Sequence, residues 1–143
     1  MATKQEKKQE AILKSIVEST VGGPEVVLYS DVVQKSLELC ERVMQLSPKK
    51  RDDGEDNLLA WKHFSQLNRS LASVGANIME GSGRSGQASQ ISFLRIAQGS
   101  AWESLFFAKL IAPELSSDVL KLCELVADKM LKAASEGHTE AID

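Results

Sequence analysis

The sequence is poor in the residues that build sheets, staples and membrane spans. Its 143 residues include only seven aromatics (four Phe, two Trp and one Tyr), three Pro and two Cys. Few strong strand formers alongside much Leu, Ala, Ser, Glu and Lys favour helix. Cys40 and Cys123 exclude a disulfide framework and an all-cysteine zinc site. Both lie among apolar neighbours and read as small hydrophobes in a reducing cytosol. No stretch approaches the ~18 apolar residues of a membrane span. Lys14 and Glu18 interrupt the N-terminal segment, so no signal-peptide core is expected. These features predict a cytoplasmic chain without a membrane partner.

Charge of one sign is also lacking. Seventeen basic residues against twenty acidic ones give a net charge of −3. That disfavours a dedicated nucleic-acid-binding domain, whose pI usually exceeds about 9. With 43% hydrophobic residues, the chain is long enough for one globular core.

What is present is helical periodicity. Residues 1–23 read as an N-terminal extension, either a short amphipathic helix or a frayed tail, ended by Val21-Gly22-Gly23-Pro24. A first long helix is predicted from Pro24 or Asp31 to Ser47, with Ser30 as N-cap and Val33, Leu37, Cys40 and Met44 as its inner stripe. A second runs from Glu55 to Glu80, with Ala60, Phe64, Leu67, Leu71, Val74 and Ile78 in register. A third runs from Gln87 to Ala112, lined by Leu94, Ala97, Ala101, Leu105, Ala108 and Ala112, and Pro113 ends it. A fourth starts near Ser117 or Asp118, where Asp118 suits the helix dipole. It presents Val119, Leu122, Val126, Met130 and Ala133 and stops before Gly137, leaving 136–143 as a flexible tail. Four helices with short connections over 24–135 make an all-α, antiparallel up-down-up-down four-helix bundle the economical fold.

The apolar residues exceed what one bundle buries. Leu105-Phe106-Phe107 and Leu58-Leu59-Ala60-Trp61 each spread around more than one helix face, and Phe93, Ile96 and Leu110 lie off the inner line. A helix apolar on several sides is covered on several sides. A homo-oligomer is therefore expected, with Trp61, Phe93, Phe106, Phe107 and Leu110 as interface candidates. The competing expectation is that the N-terminal segment folds back over them.

No motif carries catalysis, metal or cofactor chemistry, so a non-enzyme without cofactor is expected. Gly81-Ser82-Gly83-Arg84-Ser85-Gly86 matches G-x-G-x-x-G, but dinucleotide binding needs a preceding strand, and a helix precedes it here. A helix–helix turn is the simpler reading, with an anion site at the third helix's start, aided by Arg84, as the sharper one. His63 and His138 sit in unlike contexts and suggest no metal pair. Lys49-Lys50-Arg51 is followed at once by Asp52, Asp53, Glu55 and Asp56, so a solvated loop is expected. With Arg42 and Lys62 it forms the candidate nucleic-acid contact if several subunits pool their charge. Asn77, Glu80, Gly81, Gly83, Arg84, Arg95, Gly99, Ser100 and Glu103 form a candidate turn network, in which Glu80 faces Arg84 or Arg95.

The segment Ala76-Asn77-Ile78-Met79-Glu80-Gly81-Ser82-Gly83-Arg84 resembles the A-N-I-x-E-G-x-G-R signature of a bacterial family of proteins encoded in 23S ribosomal RNA intervening sequences. Phe93-Leu94-Arg95-Ile96-Ala97-Gln98-Gly99-Ser100-Ala101-Trp102-Glu103 is similar to its second signature, F-L-x-I-A-x-G-S-x-x-E. Gln34-Lys35-Ser36 and Glu38-Leu39 resemble its first-helix pattern. The resemblance covers about residues 30–135. It departs at Val33, where the family often has Trp, and at Gly75, where it often has Pro. It implies a left-handed four-helix bundle assembled as a barrel-like homopentamer; a non-enzymatic assembly or interaction scaffold is the expected role. A related branch, the accessory protein of diversity-generating retroelements, implies nucleic-acid binding as the alternative. This chain's negative charge separates it from that basic branch.

Overall fold

A computed structural model describes the backbone of residues 1–19, 23–48 and 55–142, with the side chains of 13–19, 55–57 and 137–142 left aside. The described elements are α1 (Lys4–Ser19), α2 (Gly23–Leu28), α3 (Asp31–Leu46), α4 (Glu55–Ser82), α5 (Gln87–Ile111), a 3-10 turn at Pro113–Leu115 and α6 (Ser116–Ile142). The chain is all-α, and α3–α6 are its four main packed helices.

Side-chain contacts set the directions. Ser36 on α3 meets Leu71 and Gly75 on α4, and Cys40, further along α3, meets Asn68. On α4 and α5, Ser73 meets Ser100 and Ser70 meets Ser104. On α5 and α6, Gln87 meets Ala133 and Ala101 meets Cys123. Each of these pairs is antiparallel.

The core consists of one layer from each helix. Leu67, Leu71, Val74 and Ile78 of α4 are buried, as their strict register predicts, as are Ala97, Ala101 and Ala108 of α5 and Val119, Leu122 and Val126 of α6. The α3 stripe is different from the expected one. Val32, Val33, Ser36, Leu39 and Val43 face inward, while Leu37 and Met44 are exposed. The inner face is rotated by about one residue, or 100°, because a small hydroxyl at position 36 takes the place of a larger residue there. The Ser36 Oγ donates to the Leu71 carbonyl at 2.6 Å and accepts the Gly75 N–H at 3.2 Å. A Cβ on residue 75 would lie 2.8 Å from that Oγ, so glycine lets α3 approach this closely.

Other local expectations shift as well. Ser30 occupies the N-cap position of α3, but makes no side-chain capping bond. Its hydroxyl donates backwards to the Val27 carbonyl at 2.6 Å, which ties α2 to the start of α3. Helix α4 runs two residues past Glu80 to Ser82, because Gly81 continues the helix where Phe93 packs against it. Helix α6 continues through Gly137 to Ile142, since one glycine costs only about 1 kcal/mol in a helix. Residues 4–19 form a helix, opened by a reciprocal capping box in which Thr3 N–H donates to Glu6 Oε2 and Glu6 N–H donates to Thr3 Oγ1. Among the described residues the main contact of α1 is with α2, and Trp102, Phe106 and Leu110 of α5 stay exposed.

Helices α3 and α6 share fewer contacts than the other neighbours of the bundle, and a charge clamp joins them. Lys35 Nζ and Arg42 NH1 reach the Asp118 carboxylate at 3.0 and 2.6 Å. Asp118 also sits in the first turn of α6, where the helix dipole favours a negative charge. The hydrogen bonds from Arg42 and then Lys35 hold its carboxyl at about 2, below the usual 3.8. A carboxyl depressed in the folded state stabilises the fold fully above the unfolded pKa and ceases to do so as pH falls through the folded one. Asp118→Asn is expected to lower stability by roughly 1–2 kcal/mol at pH 7. Urea unfolding at stepped pH should show that deficit shrinking between about pH 4 and pH 2.

Candidate functional site

The sequence-predicted turn network lies at one end of the bundle, where α4 turns into α5. Asn77 Nδ2 donates to the Ser73 carbonyl at 2.7 Å and to the Ser73 hydroxyl at 3.1 Å. Ser73 and Ser100 share a hydrogen bond of 2.9 Å, which links α4 to α5. Arg84 pairs with Glu80 at 2.8 Å and lies over the Phe93 ring, 5.4 Å from its centroid. Gln90 Nε2 donates to the Arg84 carbonyl at 3.0 Å, and the Gly83 N–H returns to Met79 and Glu80 carbonyls. Gly86 closes the turn with φ +97°, a conformation that favours glycine.

Three predicted members lie outside this network. Arg95 is exposed, and no ion pair involves it among the described residues: Glu80 takes Arg84 instead, because Leu94 and Ala97 face inward and turn Arg95 outward. Glu103 pairs with Arg69 at 3.4 Å on the surface. Gly99 lies mid-helix on the exposed face of α5, and a Cβ there would meet nothing within 4 Å.

An open groove of about 540 Å³ adjoins the turn. Asn77, Ser82, Arg84 and Gln90 line one side, and Lys129 and Lys132 of α6 line the other. Sequence reasoning did not find the α6 lysines, since only the packing of α6 against the α5 start brings them to the turn. The bond from Gln87 Nε2 to the Ala133 carbonyl, 3.1 Å, holds that junction. A smaller hollow of about 160 Å³ between α3 and α4 is lined by Trp61, Phe64 and Asn68.

The interface candidates divide into two groups. Phe106 and Leu110 are exposed at 64% and 54%, and Trp102 at 65%. Phe93 and Phe107 are partly buried within the chain, Phe93 against Gly81 and Phe107 against the core and the His63 ring. Trp61 is at the margin of exposure, at 37%. Among the nucleic-acid candidates, Arg42 is engaged by Asp118 and Lys62 is exposed, while Lys49, Lys50 and Arg51 lie outside the described residues.

Residues 29–130 match the model of the 23S rRNA-intervening sequence protein family. The chain belongs to that family. No curated protein and no solved structure matches it. In this family member no group of three His, Cys, Asp or Glu that could hold a metal occurs among the described residues. None of the helices is long and apolar enough to cross a membrane, again among the described residues. Burial pushes the Cys40 thiol up to about 11, with a smaller push from Glu41, and raises that of Cys123 against a backbone hydrogen bond that lowers it.

The glycines of the turn separate by what surrounds them. A Cβ on Gly81 would lie 2.8 Å from the Phe93 Cβ, whereas one on Gly83 would meet only carbonyl oxygens at 3.6 Å and beyond. Gly81→Ala is expected to cost about 1–3 kcal/mol through overpacking, and Gly83→Ala to change stability by less than about 0.5 kcal/mol. Thermal unfolding of the two variants side by side measures the contrast.

Proposed function

We propose that this family member is a non-enzymatic, cytoplasmic scaffold that acts as a homo-oligomer, with the outer face of α5 as its main self-contact. The observation that carries this reading is the placement of Gly99. It sits in the interior of a 25-residue helix, where glycine is about 1 kcal/mol worse than alanine, and nothing in its own chain occupies the space above it. Around it, on the same exposed face, stand Ile96, Trp102, Phe106 and Leu110. A glycine among exposed large apolar residues suits close approach by another backbone. The ring of five is the assembly that the family resemblance implies. Cys40 and Cys123 are both free, unbridged cysteines, which suits a reducing compartment.

Nucleic-acid binding is the less supported reading. Arg42 gives its charge to Asp118, and the chain as a whole carries −3.

Replacing Gly99 separates fold from assembly. Gly99→Gln should raise the helicity and thermal stability of the isolated chain, by up to about 1 kcal/mol, while dissociating the oligomer. Phe106→Asp should dissociate it with helicity unchanged. Native mass spectrometry of the unaltered protein is expected to give a species near five times 15.6 kDa and, for both variants, the single chain. A monomeric unaltered protein at micromolar concentration would end the proposal.

A further inference from the structure

We infer that the groove beside the α4–α5 turn is a binding site for a small organic phosphate, a phosphomonoester carrying an apolar body. Three cations converge on it from two separate parts of the chain. Arg84 comes from the turn, and Lys129 and Lys132 come from α6, where a spacing of three puts both on one face. Ile78, Leu94 and Ala133 add apolar atoms to a lining that is otherwise mostly polar. The volume of about 540 Å³ falls within the range of small-molecule sites.

The pairing of these cations leaves them available. Lys129 has no ion pair among the described residues. Lys132 pairs with Asp128 at 3.1 Å and Arg84 with Glu80 at 2.8 Å, but every one of these four side chains is more than half exposed. Such surface pairs are weak and water-screened, so a doubly charged anion can take over their cations. Among the described residues Glu136 is the one carboxylate in the lining and opposes the anion. The combination of an arginine fork with two lysine point charges matches a phosphoryl group, and Ile78, Leu94 and Ala133 offer apolar contact for a small organic part.

The inference is independent of the oligomer reading, because the groove lies within one chain and away from Gly99. The test titrates the full-length protein with phenyl phosphate, and separately with inorganic phosphate, while following backbone amide resonances. Phenyl phosphate should bind with a submillimolar Kd, at least threefold tighter than inorganic phosphate, and shift amides within 78–90 and 129–136. Lys129→Gln combined with Lys132→Gln should weaken it at least tenfold, and Glu136→Gln should tighten it. Replacing Lys4, Lys7 and Lys8 by Gln should change nothing. The inference is overturned by no shift at 10 mM, by equal affinity for both probes, or by equal sensitivity to the α1 and α6 substitutions. Circular dichroism confirms that each variant is folded, so loss of binding is not loss of structure.

Discussion

The close approach of α4 to the helices on either side is the constraint on which the remaining structure depends. It is made possible by small residues whose polar groups are satisfied on the spot. The Ser36 hydroxyl meets the Leu71 carbonyl and the Gly75 amide, which are the two ends of one helical turn. Ser104 donates to Ser70, which donates to the Leu67 carbonyl. Buried hydroxyls are costly unless bonded, and here backbone carbonyls and neighbouring hydroxyls take up the bonds of Ser36, Ser70 and Ser104. At Gly75 the seam is tight enough that an added Cβ would lie 2.8 Å from the Ser36 Oγ.

That seam determines where the large apolar residues go. The inner face of α5 is made of small residues, Ala97, Ala101, Ser104 and Ala108, which let α4 pack close against it. The bulk of the helix is therefore carried outward, on Trp102, Phe106 and Leu110. Leucines 94 and 105 flank the core and remain partly covered. Tight packing on one side of α5 and an unfilled apolar face on the other are consequences of the same spacing. On the far side of the bundle, where α3 and α6 touch least, Asp118 with Lys35 and Arg42 supplies the join. A clamp of this kind is partly hydrated, so it sets pH dependence and alignment more than bulk stability.

The two ends of α4 behave differently for related reasons. At its C-terminal end Gly81 admits Phe93, the turn through Gly86 folds back, and the α5 start leans on α6 through Gln87. This arrangement leaves an open groove lined mostly by polar and cationic groups at the end of the bundle.

The helical class, the number of main helices, the inner stripes of α4, α5 and α6 and the surplus of apolar residues are all legible along the chain. Those are properties of spacing, and spacing is legible in one dimension. The Glu80–Arg84 turn is legible for the same reason, since both partners are local. Which neighbour each residue meets is settled only by how the helices pack. The stripe of α3 turned because a hydroxyl at Ser36 found a carbonyl and an amide on another helix. Arg95 faced outward and Gly99 moved from the turn network to an open face, because rotation of a helix is fixed by what it packs against. Arg42 found Asp118, and Lys129 and Lys132 reached the turn, across separations that no periodicity encodes. Long-range pairing is set by shape and by the need to satisfy buried polar groups, and these act only once the helices are side by side.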